Sequence, residues 1–546
     1  MHVTGRIVAG IVTFVAVVAV VALLSAEYLL NGFVRERILQ GVNSREGTSL
    51  SLGTFRYSVF TSRITCDSLR LSLAGDRDAD DSIGLTVGLI SCSGINWFRV
   101  LFGQGFSCSE IGIEGLRGRI ASGSAERGAQ GKTAGPAEPK EADASARLLP
   151  FSTGRLLLRG GGLERVMGSR TGVVHDSISR FSVDVNGFRL DSASANQLGL
   201  ALARARIESV LEGGRLGVPG SKHNLGFGAV RISSQASSLR ADSLEFAPPM
   251  SDADFFANDR TGATRIRASI ERVEAHGVDF EGLLRGDHYT SQRIVVSRPA
   301  VNITVNMRVG ASGENPMPGD TSKMPNEILT GMRETIRIDS LLVRGGTIEY
   351  AELYPYSASP ALLKWSGVRL AATSISNGKG TSDSVAARFV ASGLFQDTAH
   401  MLVSMTLPLA SPDFSLVCHG VVDSLPLPSL NSFLEVAERI RVLSGKADSI
   451  KFSLTAAHGR STGLVRPLYR DLKIEMLEKE SGGSDKLPQK LETLLARILK
   501  IRNDNVPKGS EAAREGPVRY VRRVDDPFFR FVWFSLRGGL GSVVGF

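Results

Sequence analysis

Along most of the chain apolar residues recur at every second position, the period of a β-strand with one buried face. The stretch that shows it best lies in the middle. Ile336 and Ile338 alternate, the phase slips at Asp339-Ser340, Leu341 and Val343 resume it, Gly345-Gly346 interrupts, and Ile348 and Tyr350 continue. This predicts strand, slip or bulge, strand, glycine turn, strand. Further on, residues 387–395, 401–407, 414–422, 450–456 and 464–477 read as successive strands of an antiparallel meander. Helical spacing is scarce. Leu430, Phe433, Leu434, Ala437 and Ile440 predict one helix over 429–441 inside the meander, closed by Leu443-Ser444-Gly445. A second amphipathic helix is predicted over 490–501, with Leu491, Leu494, Leu495, Ile498 and Leu499 on one side.

The pattern also repeats on a larger scale. Leu52-Gly-Thr-Phe-Arg-Tyr is echoed by Phe227-Gly-Ala-Val-Arg-Ile, and Cys66-Asp-Ser-Leu by Ala241-Asp-Ser-Leu, each 175 residues on. Gly94-Ile-Asn-Trp then returns as Gly277-Val-Asp-Phe at 183 residues, and Leu157-Leu-Arg-Gly-Gly-Gly-Leu-Glu as Leu342-Val-Arg-Gly-Gly-Thr-Ile-Glu at 185. The order is preserved, which predicts a tandem β unit. The expected organisation is an anchor at 1–30, a first β unit at 31–226 with a linker at 121–146, and a second at 227–420 with a linker at 310–325. A meander with its inserted helix follows at 421–480, and an amphipathic tail at 481–546. Neither linker has a hydrophobic period, and the first is built from Gly, Ala, Ser, Glu and Lys.

Two segments break the β pattern. From Ile7 to Leu24 there is no charge, and at about 1.5 Å per residue the run is long enough to cross a bilayer. It reads as an uncleaved anchor or as a signal peptide cut after Ala26; its length and the position of Leu24 favour the anchor. Arg35 and Arg37 follow the span, but long downstream domains translocate largely regardless of charge, so the bulk is expected outside the cytoplasm. Near the C-terminus Phe528, Phe529, Phe531, Val532, Trp533, Phe534 and Leu536 crowd together beside Arg530 and Arg537. This is either a terminal element tucked into the sheet or an interfacial segment on lipid. In the second case Phe528, Phe529, Arg530, Phe531, Trp533, Phe534 and Arg537 are the membrane-interface candidates.

Composition narrows the classes. With 546 residues, 42% hydrophobic and 22% charged, wholesale disorder and a polytopic membrane protein are excluded. The 59 glycines against 7% aromatics fit many turns between strands. The net charge of +9 has its excess near the C-terminus, at Arg514, Arg519, Arg522, Arg523, Arg530 and Arg537. Lying among aromatics, in a chain that also carries the uncharged span from Ile7 to Leu24, it favours anionic lipid over nucleic acid as neighbour. Cys66, Cys92, Cys108 and Cys418 match no zinc or redox spacing and read as small buried thiols. Catalytic signals are missing. The histidines form no HExxH or HxH pair, there is no G-x-S-x-G elbow, and Gly131-Lys132-Thr133 has Glu126 where a phosphate loop needs glycine. No enzyme activity, metal or cofactor is expected.

The span, the helical stretch Val34-Arg-Glu-Arg-Ile-Leu-Gln40 and the Leu-Gly-x-hydrophobic start of the β region resemble the AsmA-like family of bacterial envelope proteins, within the bridge-like lipid-transfer group. So do the phrase Ile336-Arg-Ile-Asp-Ser-Leu-Leu-Val-Arg-Gly-Gly-Thr-Ile-Glu-Tyr350 and the meander with one inserted helix ending at Tyr469-Arg-Asp-Leu472. The resemblance covers most of 7–477 through hydrophobic patterns with few fixed residues; the long linkers and modest length depart from it. It implies a mainly β fold: an elongated, curled antiparallel sheet, groove-like or taco-like, built from tandem repeats, with an N-terminal transmembrane helix and a few short helices. It further implies a single-pass inner-membrane protein with its bulk in the periplasm, acting in envelope biogenesis by binding or moving phospholipid or another lipid. Ile336, Ile338, Leu341, Val343, Ile348, Phe389, Leu402, Met405 and Phe414 are then groove or core positions. The expected partners are membrane lipids and other envelope proteins, with no nucleic acid. The alternative is a scaffold that assists outer-membrane protein assembly without lipid transport.

Overall fold

A computed structural model describes residues 39, 43, 47–58, 61–74, 82–122, 150–169, 172–190, 198–218, 223–257, 264–308, 323–378, 385–477, 501–523 and 526–545. The span at 7–24, the helical stretch at 34–40 except Leu39, Gly131-Lys132-Thr133, nearly all of both linkers and the helix expected at 490–501, except Ile501, lie outside the described residues. Among the described residues no helix is long and apolar enough to cross a membrane. The protein is mainly β, 64% strand and 14% helix, in a long sheet arrangement dominated by antiparallel pairs. The chain forms two compact units: residues 1–243 with 279–286, and residues 244–278 with 287–546.

Unit 1 contains β1 (Thr48–Ser51), β2 (Phe55–Ser58), β3 (Arg63–Ala74), β4 (Ser82–Ser93), α1 (Trp97–Leu101), β5 (Phe106–Glu114) and β6 (Arg117–Ser122). It continues with β7 (Phe151–Ser169), β8 (Gly172–Leu190), α2 (Leu198–Ala203), β9 (Arg206–Gly217) and β10 (Asn224–Ser233). β11 (Ser238–Ala247) contains the boundary, followed by α3 (Asp252–Ala257), β12 (Thr264–His276) and α4 (Phe280–Arg285), of which α4 belongs to unit 1. Unit 2 goes on with β13 (His288–Asn306), α5 (Pro325–Thr330), β14 (Thr335–Leu353), β15 (Ala361–Ser376), β16 (Ala387–Phe395), β17 (Ala399–Leu407) and β18 (Ser415–Pro426). A 3₁₀ turn, α6 (Asn431–Ala437), β19 (Ile440–Ala457), β20 (Arg460–Met476), β21 (Gly516–Val521) and α7 (Phe528–Val544) complete it.

The pairing departs from a purely antiparallel expectation at one place in each unit. β5 and β6 both pair parallel with β7, and β13 pairs parallel with β14. A parallel neighbour requires the chain to return to the starting end of the strand, which a tight turn cannot do. The low-complexity segments occupy these two connections.

The repeated sequence has a repeated backbone. Left-handed residues recur at the same offsets: Ser62 and Ser237 (φ 47° and 46°), Gly94 and Gly277 (66° and 64°), Gly160 and Gly345 (62° and 65°). The register shifts of β7 against β8 fall at Leu158, Gly161 and Leu163, and those of β14 against β15 at Val343, Gly346 and Ile348. The expected glycine turn is therefore corrected. Gly345 bulges a single 19-residue strand instead of ending it, because one positive-φ residue re-aims a strand without reversing it. The slip at Asp339-Ser340 is matched by Ser374 (φ 59°) on the neighbouring strand, so that Ile375 and Ala372 stay inside opposite Ile338 and Leu341.

Inward residues of unit 1 close on each other. Val87, Cys92, Phe106, Ile111, Ile113, Val185 and Phe188 belong to one cluster, in which Phe106 stacks on Phe151 at 5.7 Å. In unit 2 Leu407, Leu416, Cys418, Leu454, Val465 and Val518 pack around Phe531. All four cysteines are buried and none forms a disulfide. The helix expected over 429–441 stops earlier, since Arg439 turns left-handed (φ 58°) and Ile440 already pairs with Met476 in the sheet.

Candidate functional site

In unit 2 the inward faces of β14 to β20 meet α6 and α7 around a chamber of about 380 Å³. Its walls are almost wholly apolar: Ile348, Tyr350, Leu363 and Trp365 from β14 and β15, Ala391 and Phe395 from β16, Met401, Val403 and Met405 from β17. Ile450, Phe452, Phe433 and Leu434 continue them, and Phe528, Phe529, Val532, Trp533, Leu536 and Leu540 of α7 form the roof. The volume falls in the range of small-molecule sites. The local cause is alternation on β17, where 401, 403 and 405 face in and His400 and Leu402 face out. The small Ala391 opposite Val403 leaves room.

The helix α7 is held from its other side. Phe531, Ser535, Gly539 and Val543, spaced four apart, are buried against the sheet, and the Ser535 and Ser461 hydroxyls share a 2.7 Å hydrogen bond. Asp526, fully buried, fixes its start by accepting from the Tyr520 hydroxyl at 2.7 Å and the Arg523 amide at 2.9 Å, with the Arg530 guanidinium 3.4 Å away. Burial, followed by that bond to Asp526, pushes the Tyr520 phenol up to about 12.

Beyond Tyr350, outside the residues that line the chamber, β14 carries a buried carboxylate. Glu352 follows Tyr350 on the same face of β14 and is only 5% exposed. The Tyr350 hydroxyl donates to one of its oxygens at 2.7 Å and the Tyr354 hydroxyl to the other at 2.6 Å. Glu438 lies close enough to be felt electrostatically; burial first, and then Glu352, push its carboxyl up against the opposing pull of its partner Arg537.

The expected positions divide. Ile338, Leu341, Phe389, Met405 and Phe414 pack on the core cluster around Phe531, and Ile348 and Met405 line the chamber. Ile336 and Val343 are half-buried on β14. Leu402 is corrected: it is 48% exposed on the opposite face of β17, because the inward phase runs through Met401 and Val403. Of the interface candidates, Phe528, Phe529, Arg530 and Trp533 line the chamber, and Phe529 is also 63% exposed at its edge. Phe534 lies under the Arg530 and Arg537 guanidiniums at 5.0 and 5.7 Å. Phe531 faces protein on all sides, so it offers lipid no surface. Trp365, Phe395, Met401, Val403, Phe433 and Phe452 were missed, although 401/403/405 alternates in the sequence.

Unit 1 has a cavity of about 500 Å³ lined by Arg155, Arg159, Arg231, Arg240, Asp184 and Glu208. Its charges serve each other. Arg155 grips Asp184 with two nitrogens, holding that carboxyl below the usual range, and Arg231 and Arg240 both meet Asp242. Among the described residues no group of His, Cys, Asp and Glu is placed to hold a metal ion. No protein-family model matches the chain, and no curated protein matches its sequence.

Proposed function

We propose that the chain is a membrane-anchored lipid-handling factor of the bacterial envelope, single-pass in the inner membrane with its bulk in the periplasm. On this reading the sheet of unit 2 curls into a groove whose apolar face, roofed by α7, holds an acyl chain. The observation that carries the proposal is the chamber, which is apolar on nearly every wall and lies beside a helix whose aromatic edge reaches the surface at Phe529. A trough of this kind needs no catalytic group; each methylene it buries contributes about 0.8 kcal/mol before ordering costs. The scaffold reading draws support from the ring pair of Phe98 on α1 and Phe102, which caps its C-terminal end, both exposed, an apolar patch of the kind that meets another protein.

Photocrosslinking decides between them. A photoreactive residue at Ile348 or Met405 is expected to label co-purifying lipid, and one at Leu402 is not. If Ile348 and Met405 label only protein, the lipid groove is wrong.

A further inference from the structure

We propose that the outer face of β18 to β21 is a docking surface for a bilayer rich in anionic lipid. It lies on the side of the sheet away from the chamber and does not depend on what the chamber holds.

Alternation along these strands separates the two faces. Leu416, Cys418, Leu454, Ala456, Val465 and Val518 are buried in the core around Phe531, so the residues between them point outward. Pairing sets those outward residues in rows. Val417 lies opposite Thr455, Thr455 opposite Thr462 and Thr462 opposite Arg519. To one side Val421 lies opposite Lys451 and Lys451 opposite Arg466; to the other Arg460 lies opposite Val521. Over 417–421, 451–457, 460–466 and 517–521 the chain carries Lys451, Arg460, Arg466 and Arg519 and no carboxylate. Leu402, on β17, lies outside this face.

The charge of these four residues is not met within the sheet. Among the described residues no carboxylate pairs with Lys451, Arg460 or Arg519, and Arg466 comes only within 3.9 Å of Glu515. Lys451 and Arg466 stand directly opposite each other, a like-charge pair that weakens a sheet. Unit 1 shows the contrast, since its Arg155, Arg231 and Arg240 are each met by Asp184 or Asp242. Cations left unanswered on one face repel each other until an anion arrives from outside.

The residues between the cations say what carries that anion. Val417, Leu464 and Val521 stand among them 41%, 47% and 62% exposed, short aliphatic groups that gain by entering the boundary between head groups and acyl chains. Anionic head groups attract each nearby Lys or Arg, and the attractions add. Nucleic acid would be gripped by aromatic rings interleaved with the cations, and none of the outward positions is aromatic.

The test uses the full chain in vesicles of phosphatidylcholine, alone or with an equal part of phosphatidylglycerol. The four native cysteines are buried, so Thr455→Cys, in the middle of the face, takes a nitrobenzoxadiazole label selectively. Ala358→Cys, exposed on the loop between β14 and β15, serves as the control. Spin-labelled lipid is expected to quench the label at position 455 at least threefold more strongly in the anionic vesicles than in the neutral ones, and to quench the control alike in both. Raising the salt concentration should remove the difference. So should Lys451→Gln, Arg460→Gln and Arg519→Gln combined, with the urea midpoint unchanged because all three side chains are exposed. Equal quenching at position 455 in both vesicles, or none in either, overturns the docking face. A duplex oligonucleotide that shifts this label at a lower concentration of phosphate than the anionic vesicles do overturns it in favour of nucleic acid. Should the triple variant fail to fold, the salt dependence and the comparison of lipids decide.

Discussion

Three glycines lie in register across from phenylalanines: Gly161 from Phe181, Gly214 from Phe227 and Gly420 from Phe452. A Cβ on each would stand 2.3, 1.9 and 2.0 Å from a ring carbon, so each ring lies over the space a side chain would take. These glycines are therefore mid-strand packing partners, and the large glycine count reflects more than turns. Gly420→Ala is expected to destabilise unit 2 by about 1–3 kcal/mol, the usual range for overpacking. Gly538→Ala, in helical backbone with nothing near its would-be Cβ, is expected to stabilise by about 0.5–1 kcal/mol. Urea midpoints moving in the same direction for both would refute this account. The glycines were visible in the sequence, but their partners depend on strand register, which is set by pairings between distant residues. Leu402 shows the same limit: 401, 402, 403 and 405 are all apolar, and only the fold chooses which phase points inward.

At the scale of elements, the strands were the legible part. The expected strand at 387–395 is β16 as observed, and four others were placed on the right strands with boundaries shifted. The last helix was not legible as a helix, because Phe528 to Leu536 is apolar almost all round and carries no polar face to reveal its period. What fixes α7 is Asp526, a residue that no periodicity in the sequence singles out. Asp526→Ala removes the acceptor for the Tyr520 hydroxyl and the Arg523 amide and the partner of Arg530, and is expected to cost about 3–5 kcal/mol, as for other broken buried pairs. Limited proteolysis should then cut α7 while the meander strands stay protected; equal protection of α7 in variant and wild type would count against the anchor role. The raised Tyr520 phenol adds a pH dependence. A folded value above the ordinary 10.0 means that its contribution is complete below 10 and is lost as pH rises towards about 12. Over that window wild type should lose more stability than Tyr520→Phe, measured as the fall in urea midpoint.

For the molecule as a whole, the tandem repeat was readable because glycine and serine positions that must bend the backbone recur in order, while the parallel pairs were not, since alternation looks the same whichever way a neighbour runs. Nor does the repeat predict the chamber. Unit 1 closes its apolar interior with Phe106, Phe151 and Phe188 and has charged side chains around its cavity, whereas unit 2 has small Ala391 among the larger residues lining its apolar chamber. If that space is what the protein uses, filling it should separate binding from folding. Ala391→Trp places an indole in the chamber and is expected to leave the urea midpoint nearly unchanged, because the ring enters existing space. It should weaken binding of a neutral fluorescent alkyl probe at least tenfold. Leu402→Trp, on the opposite face, should change neither. The difference also appears through linkage: ligand at 100 times its dissociation constant stabilises the wild type by about 2.7 kcal/mol, and the same concentration should raise the melting temperature of Ala391→Trp far less. Equal thermal shifts in wild type and Ala391→Trp would place the bound chain somewhere other than this chamber.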